Sequence, residues 1–439
     1  MSKLLRYLKP YLLQLFLILG LTYVQVMASL QLPDYMAKIV NEGIMAENQS
    51  LIWSTGLKML LVTAIGAVST IVVGYLSSRI GTGFSKTLRK EVFSKVESFS
   101  LADFNKFSIA SLITRTTNDI QQIQMVMIIL FRMILSAPIM AIGAVVKAYQ
   151  SAPSMTWIMG VAIAVLFVVI VILFSVATPK FKLVQKLVDA LNLVTRQNLT
   201  GLRVIRAFNT EEFEEKKFDE VNKELTKVNL FVNRIMVVMQ PVMMLIFNIT
   251  TIGIIWIGAH MINMDELQIG DMMAFMQYAM QVIISFLMIS IVFILLPRAS
   301  VSAQRVSEVL NVEPTIVDPK KTKKSKAETR GKVEFKNVTF SYPDADVPIL
   351  HNISFTANPG ETTAIIGGTG SGKSTIVNLI PRFFDVTSGE ILIDGVDIRD
   401  MKQKDLRRKI GYIPQKGVLF SGTIESNIKY GKPNASEKE

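Results

Sequence analysis

The stretch "AIIGGTGSGKSTIVNLI" sets glycines at Gly367, Gly368, Gly370 and Gly372, a lysine at Lys373, and hydroxyls at Thr369, Ser371, Ser374 and Thr375. The spacing G-x-x-x-x-G-K-[ST] suits a loop that holds phosphate. Glycines let the backbone wrap closely enough for successive N–H groups to point at phosphate oxygens, and the positive end of a following helix adds to the field. In that geometry Lys373 reaches the outer phosphates of a nucleotide and the Ser374 hydroxyl ligates Mg²⁺. The apolar run "TTAIIG" ahead of the glycines predicts a continuous buried strand entering the loop.

Turning a nucleotide over needs more than holding it. An acid at the end of a later hydrophobic strand must hold Mg²⁺, and a further group must place the attacking water. The candidate acid is Asp394, at the end of "EILIDG". Its Asp-Gly pair followed by "VDI" predicts a hairpin turn instead. No other apolar strand ending in an acid follows up to Glu439. With no cysteine, and with His260 and His351 in different segments, neither a disulfide framework nor a thiolate or imidazole metal centre is expected.

The elements that must position this loop are mostly apolar. The 439 residues are 50% hydrophobic and 19% charged, and the mean hydropathy is +0.40, too apolar for a single soluble domain. Six runs reach the roughly 20 residues that cross a bilayer core: 11–32, 51–77, 127–149, 155–178, 240–262 and 272–296. The first follows Lys3, Arg6 and Lys9, but it is long for a signal peptide and five more runs come after it, so an uncleaved helix is expected.

The formal charge of +12 does not gather on a soluble face, which argues against nucleic acid. Lys86, Arg89, Lys90, Lys95, Lys106 and Arg115 fill the second-to-third connection. Lys180, Lys182, Lys186, Arg196, Arg203, Arg206, Lys216 and Lys217 fill the fourth-to-fifth. Lysine and arginine are retained on the cytoplasmic side, so both long connections and both termini are expected there. Within those connections "FSKTLRKEVFSKVESF" and "FEEKKFDEVNKELTKVNLFVNRI" keep helical spacing, which predicts long helical extensions of the spans. The lysine-dense "NVEPTIVDPKKTKKSKAETRG" could touch anionic lipid but reads better as a solvated tether, and short alternating strands follow it.

Six spans with long extensions, joined to a domain carrying "VTFSYP", "GGTGSGKST" and "IGYIPQKGVLFSGTIESNIKYG", resemble a half-transporter of the ATP-binding cassette exporter family. The wording is most similar to one half of bacterial heterodimeric multidrug exporters. The resemblance implies an all-α six-helix transmembrane domain over 1–310, a charged linker over 311–330, and the N-terminal part of an α/β P-loop nucleotide-binding domain over 331–439. It implies ATP and Mg²⁺ as cofactors. Tyr342 would stack on adenine, and Gln415 would contact Mg²⁺ and the attacking water. The segments around "SLADFNKFS" and "FNTEEFEEKK" would be coupling helices.

The LSGGQ-type signature, the catalytic acid and the switch histidine of that family are not met within the 439 residues. The expectation is therefore an N-terminal portion that does not turn over ATP alone. A second half-transporter is the implied partner, in a heterodimer or a homodimer, in a bacterial plasma membrane. Membrane lipid and a small apolar or amphipathic substrate are the other partners. The alternative is a membrane-anchored nucleotide-binding protein that acts without hydrolysis, as a regulator or inactive partner. Methionines in and beside the last two spans, among them Met236, Met239, Met243, Met244, Met272, Met273, Met276, Met280 and Met288, could line an adaptable apolar site or simply pack. Gln14, Gln25, Asn248, Gln277 and Gln281 inside spans could face a cavity.

Overall fold

A computed structural model describes residues 2–323, 331–343 and 345–438. The chain divides into two compact units, one of Met1–Glu91 with Thr114–Glu308 and one of Val92–Ile113 with Val309–Glu439.

The first unit is helical. A short α1 (Ser2–Leu5) and a 3-10 turn lead into α2 (Leu12–Lys38), which a π turn at Ile39–Ile44 closes. Next comes α3 (Gln49–Glu97). After α4 (Leu101–Asn105), the third passage is built from α5 (Ile109–Thr114), α6 (Ile120–Ile129) and α7 (Ser136–Ser151), separated by π turns at Arg115–Asp119 and Leu130–Ile134. The long helices α8 (Thr156–Phe208), α9 (Glu211–Asn263) and α10 (Ile269–Asn311) complete the set. Among the described residues six helices are long and apolar enough to cross a membrane. Leu13, Phe16, Trp53, Ile71 and Trp256 are exposed on them, as side chains facing lipid would be.

The spans continue well beyond the apolar runs, with 53 residues in each of α8 and α9. In α3 the reason is visible as a stripe: Ile80, Phe84 and Leu88 are buried, whereas Arg79, Lys86, Arg89 and Lys90 are exposed. Between α8 and α9 the chain reverses at Asn209, which is left-handed with φ 51°. "FEEKK" therefore forms the first turns of α9, and the expected second coupling helix is not a separate helix. Asparagine tolerates the left-handed conformation, so a tight reversal suffices where a short helix was expected.

Ionisable groups meet inside this unit. The Lys147 ammonium on α7 donates to Asp34 Oδ2 on α2 at 2.6 Å. The fully buried Tyr278 on α10 places its hydroxyl 3.0 Å from the Leu30 carbonyl and in hydrogen-bond contact with Asp34 Oδ1. A buried phenol requires such partners, because burying its hydroxyl without them is costly, and the half-buried Asp34 serves both it and Lys147. Farther along, Ser302 donates to the buried Asp119 at 2.8 Å and Arg115 pairs with Glu308 at 2.8 Å, joining α10 to the π turn.

The second unit contains one antiparallel sheet of order β2-β1-β3-β4, formed by β1 (Val333–Phe340), β2 (Leu350–Ala357), β3 (Ser388–Ile393) and β4 (Val396–Asp397). Phe335, Val338, Phe340, Leu350, Ile391 and Ile393 point into one core with Leu379 of α11 (Lys373–Leu379) and Leu406 of α12 (Gln403–Arg407). Then follows α13 (Ile424–Ile428).

Two expectations are corrected here. Residues 361–368 form no strand, and Ile366 is 92% exposed. A strand exists only with a ladder partner, and among the described residues none pairs with that stretch. The described part of the lysine-rich linker is also not a free tether. Asp103 accepts from the Thr315 N–H at 2.9 Å, Asp318 accepts from the Gln403 N–H at 3.0 Å, and Lys323 pairs with Asp400 at 2.7 Å. Three carboxylates and one ammonium thus dock it; residues 324–330, with the rest of the lysine run, lie outside the described residues.

Candidate nucleotide site

The phosphate-type loop hangs between the irregular residues 361–368 and α11. Gly370 and Gly372 have φ of +85° and +87°, conformations that other residues adopt only with strain. A Cβ on Gly372 would also press on Leu350 Cδ2 at 2.8 Å, but it is the backbone conformation that requires glycine where the helix begins. The loop tightens through Ser371 N–H to Gly368 O at 3.3 Å, and the helix opens with Ile376 N–H to Gly372 O at 3.0 Å.

Lys373 folds back over this loop. Its ammonium donates to Gly367 O at 2.9 Å and Gly368 O at 2.6 Å, and lies 3.5 Å from Ser371 Oγ. The cation is therefore held over the loop by neutral carbonyl acceptors that a phosphate can replace with stronger bonds between opposite charges. Beside it a cavity of about 240 Å³ is lined by Ile349, Gly370, Ser371, Gly372, Lys373, Ser374 and Thr375. Ser374 is exposed and lines the same cavity, so the loop fits a Mg²⁺-nucleotide.

Tyr342 is brought to the same helix. Its hydroxyl lies 3.2 Å from Thr375 Oγ1, and its ring meets Phe340 and Phe384 edge-on at centroid distances of 4.9 and 5.2 Å. Gln415 is exposed in irregular chain. It stands just beyond Tyr412, whose hydroxyl donates to Asn378 Oδ1 of α11 at 2.8 Å and whose ring meets Phe383.

Asp394 is used up structurally. It and Gly395 have φ of 51° and 75°, and Ile393 pairs with Val396, which makes a two-residue hairpin of the primed type. Asp394 Oδ1 accepts from the Gly331 N–H at 2.7 Å and the Lys332 N–H at 3.2 Å, while Oδ2 accepts from Lys409 at 2.8 Å. Burial alone would raise its pKa, but Lys409 and the two amides outweigh that and hold the carboxyl below its usual value.

Sequence reasoning did not single out Asp103. Ser100 and Asp103 form a capping box at α4, and the carboxylate, with no exposure, also accepts from Thr315 and pairs with Lys106 at 3.2 Å. The S-x-x-D spacing was a readable cue for the cap. Nothing local revealed Thr315.

In the helical unit the methionines sort themselves. Met236, Met239, Met243, Met244 and Met280 line a cavity of about 350 Å³ with Gln240, Phe247, Ile283, Ile284 and Leu287. Met272 and Met276 pack against the bundle core instead. Of the span amides, Asn248 and Gln277 are exposed and Gln281 Nε2 reaches Ser29 O at 3.4 Å.

Comparison with known proteins accounts for both units. Residues 15–286 match the family model of the ABC transporter transmembrane region, and residues 350–439 match that of the ABC transporter. An uncharacterized ABC transporter ATP-binding protein of Mycobacterium tuberculosis is 37% identical over 426 residues, which cover 97% of this chain and 73% of the relative. An uncharacterized ABC transporter ATP-binding protein of Bacillus subtilis is 34% identical over 439 residues, covering 100% and 76%. An ATP-dependent lipid A-core flippase of Syntrophus aciditrophicus is 30% identical over 368 residues, covering 83% and 60%. With membrane-length helices followed by a phosphate-loop unit, and family matches over both, the chain belongs to the ABC transporter family.

Proposed function

We propose that this chain is a subunit of an ATP-driven exporter that moves apolar or amphipathic molecules out of the cytoplasm by alternating access. The observation that carries the proposal is the loop cavity, with Lys373 poised over carbonyls that phosphate can displace. The organisation proposed is a transmembrane domain over 1–310, a linker over 311–330 and a nucleotide-binding segment over 331–439. Backbone N–H groups of Gly367, Gly368, Thr369, Gly370, Ser371, Gly372, Lys373, Ser374 and Thr375 cradle the phosphates, Lys373 neutralises them and Tyr342 stacks on adenine. Ser374 and Gln415 hold Mg²⁺, which when bound supplies charge neutralisation between the phosphates. The 439 residues alone bind without turnover, since Asp394 is committed to its three donors.

The partner is a second half-transporter, a heterodimer being favoured over a homodimer. The methionine-lined cavity supports an apolar substrate, because flexible thioethers adapt to varied shapes. The setting is a bacterial plasma membrane with both termini cytoplasmic. The test is titration of the solubilised chain with a fluorescent nucleotide and Mg²⁺. Lys373→Ala should weaken binding markedly and Tyr342→Ala should weaken it as well. Equal affinity in wild type and Lys373→Ala overturns the assignment of the loop.

A further inference from the structure

The docked linker extends a line of contacts that begins at the turn after α11, the helix that opens from the nucleotide loop, and does not involve Gln415. Directly after α11 the chain turns through Pro381 and Arg382, and Arg407 of α12 donates to both carbonyls, at 3.2 and 3.4 Å. The same guanidinium sits 5.5 Å from the centroid of the Phe383 ring. At the other end of α12, the Gln403 backbone N–H donates to Asp318 Oδ1 at 3.0 Å, with its side-chain amide at 3.3 Å from the same atom. Within the linker, Ile316 is buried. Thr315 then meets α4: its N–H donates to Asp103 Oδ2 at 2.9 Å, and its hydroxyl lies 3.2 Å from that oxygen and 2.8 Å from Ser100 Oγ.

We infer that Asp103 is a positioning residue which, through Thr315, Asp318 and Arg407, makes α4 respond to nucleotide at the loop by a route separate from Gln415. The inference rests on the proposed nucleotide binding. Its physical content is that α4 is fixed to the linker by a buried carboxylate with several donors, and the linker to α12. A shift of the turn after α11 therefore moves a chain of directional bonds rather than a flexible tether. Arg407 is suited to its place because Nε and Nη2 of one planar guanidinium reach the two carbonyls, a rigid fork geometry that a compact lysine ammonium does not reproduce.

The absence of native cysteine supplies a direct test of the clasp. Ser100 and Thr315 hydroxyls at 2.8 Å place the two side chains near disulfide reach, so the full chain carrying Ser100→Cys and Thr315→Cys should crosslink under mild oxidation. Fragments cut between the two positions would stay joined until reduced. Failure to crosslink overturns the inference irrespective of nucleotide. The second arm follows amide hydrogen exchange in the full chain with and without Mg²⁺-ATP. Protection of residues 367–375 reports binding at the loop, and protection of 101–105 reports the response of α4. Asp103→Ala, Thr315→Val and Arg407→Lys should each keep the first and lose or diminish the second. If nucleotide still protects 101–105 in Asp103→Ala and Arg407→Lys, the route is wrong. If it fails to protect 367–375 in wild type, the nucleotide assignment fails instead, and the crosslink still judges the clasp.

Discussion

Replacing Asp394 by asparagine separates a structural carboxylate from a metal-binding one. Asn-Gly is as good a pair as Asp-Gly for a primed two-residue hairpin, so the backbone at φ 51° and 75° is retained. Asn Oδ1 can still accept from Gly331 and Lys332, more weakly because it carries no charge. The bond from Lys409 to Oδ2 at 2.8 Å is lost, and the new amide puts a donor against the ammonium. A hydrogen bond to a charged group contributes about 1.5–3 kcal/mol. Lys409 is 37% exposed at its side chain and can recover water, which brings the cost toward the lower end, about 2 kcal/mol with the weakened amide bonds included. That corresponds to about a 30-fold rise in local opening. Amide exchange of residues 388–397 in the full chain should accelerate accordingly, while Mg²⁺-dependent nucleotide binding stays within reach of wild type. Unchanged exchange together with lost Mg²⁺ dependence would refute the reasoning and make Asp394 a metal ligand.

Lowering the pH probes the same group without substitution. Its folded pKa is depressed, so its contribution is fully present above its unfolded value near roughly pH 4 and is lost as pH falls through the lower folded value; acid unfolding followed by exchange at 331–332 should be shallower in Asp394→Asn. Lys373→Ala removes one charge-assisted phosphate contact, about 1.5–3 kcal/mol, so nucleotide affinity should drop by about 10- to 150-fold in a fluorescence titration. Alanine at Gly372 must adopt φ +87° and place its Cβ 2.8 Å from Leu350 Cδ2, so binding should be lost along with protection at the start of α11. For topology, single cysteines at Ser111 and Asn209 should resist an impermeant thiol reagent in intact cells and one at Asn48 should react; labelling at Ser111 from outside would invert the proposed orientation.

What could be read in advance was what is local. Apolar runs of membrane length became membrane-length helices, the glycine spacing became a loop with two left-handed glycines, and Asp394-Gly395 became the hairpin turn. The buried strand at "TTAIIG" was inferred from apolarity alone, and Ile366 shows why that is insufficient: a strand also needs a neighbour. The linker was read from its prolines and lysines, whereas its fate is set by Asp103, 212 residues away from Thr315. Composition reports how a segment behaves in water, and a distant carboxylate can override it. The meeting of Asp34, Lys147 and Tyr278 was likewise invisible, although a charge near the end of an apolar span is itself a cue.

That last cluster also bears on how the protein is made. Asp34 leaves the ribosome long before its partners, with Lys147 lying 113 residues later and Tyr278 lying 244 residues later. At about 5–20 residues per second, the carboxylate waits about 6–20 s for its ammonium and about 12–50 s for its phenol. During that interval the first helix carries an acid that only water, lipid headgroups or the insertion machinery can satisfy. The contacts of Asp34 are consequently complete only once α10 docks and brings Tyr278 to it. Substitutions at Tyr278 should therefore register first as nascent chains that fail quality control, and only secondarily as assembled protein with altered behaviour.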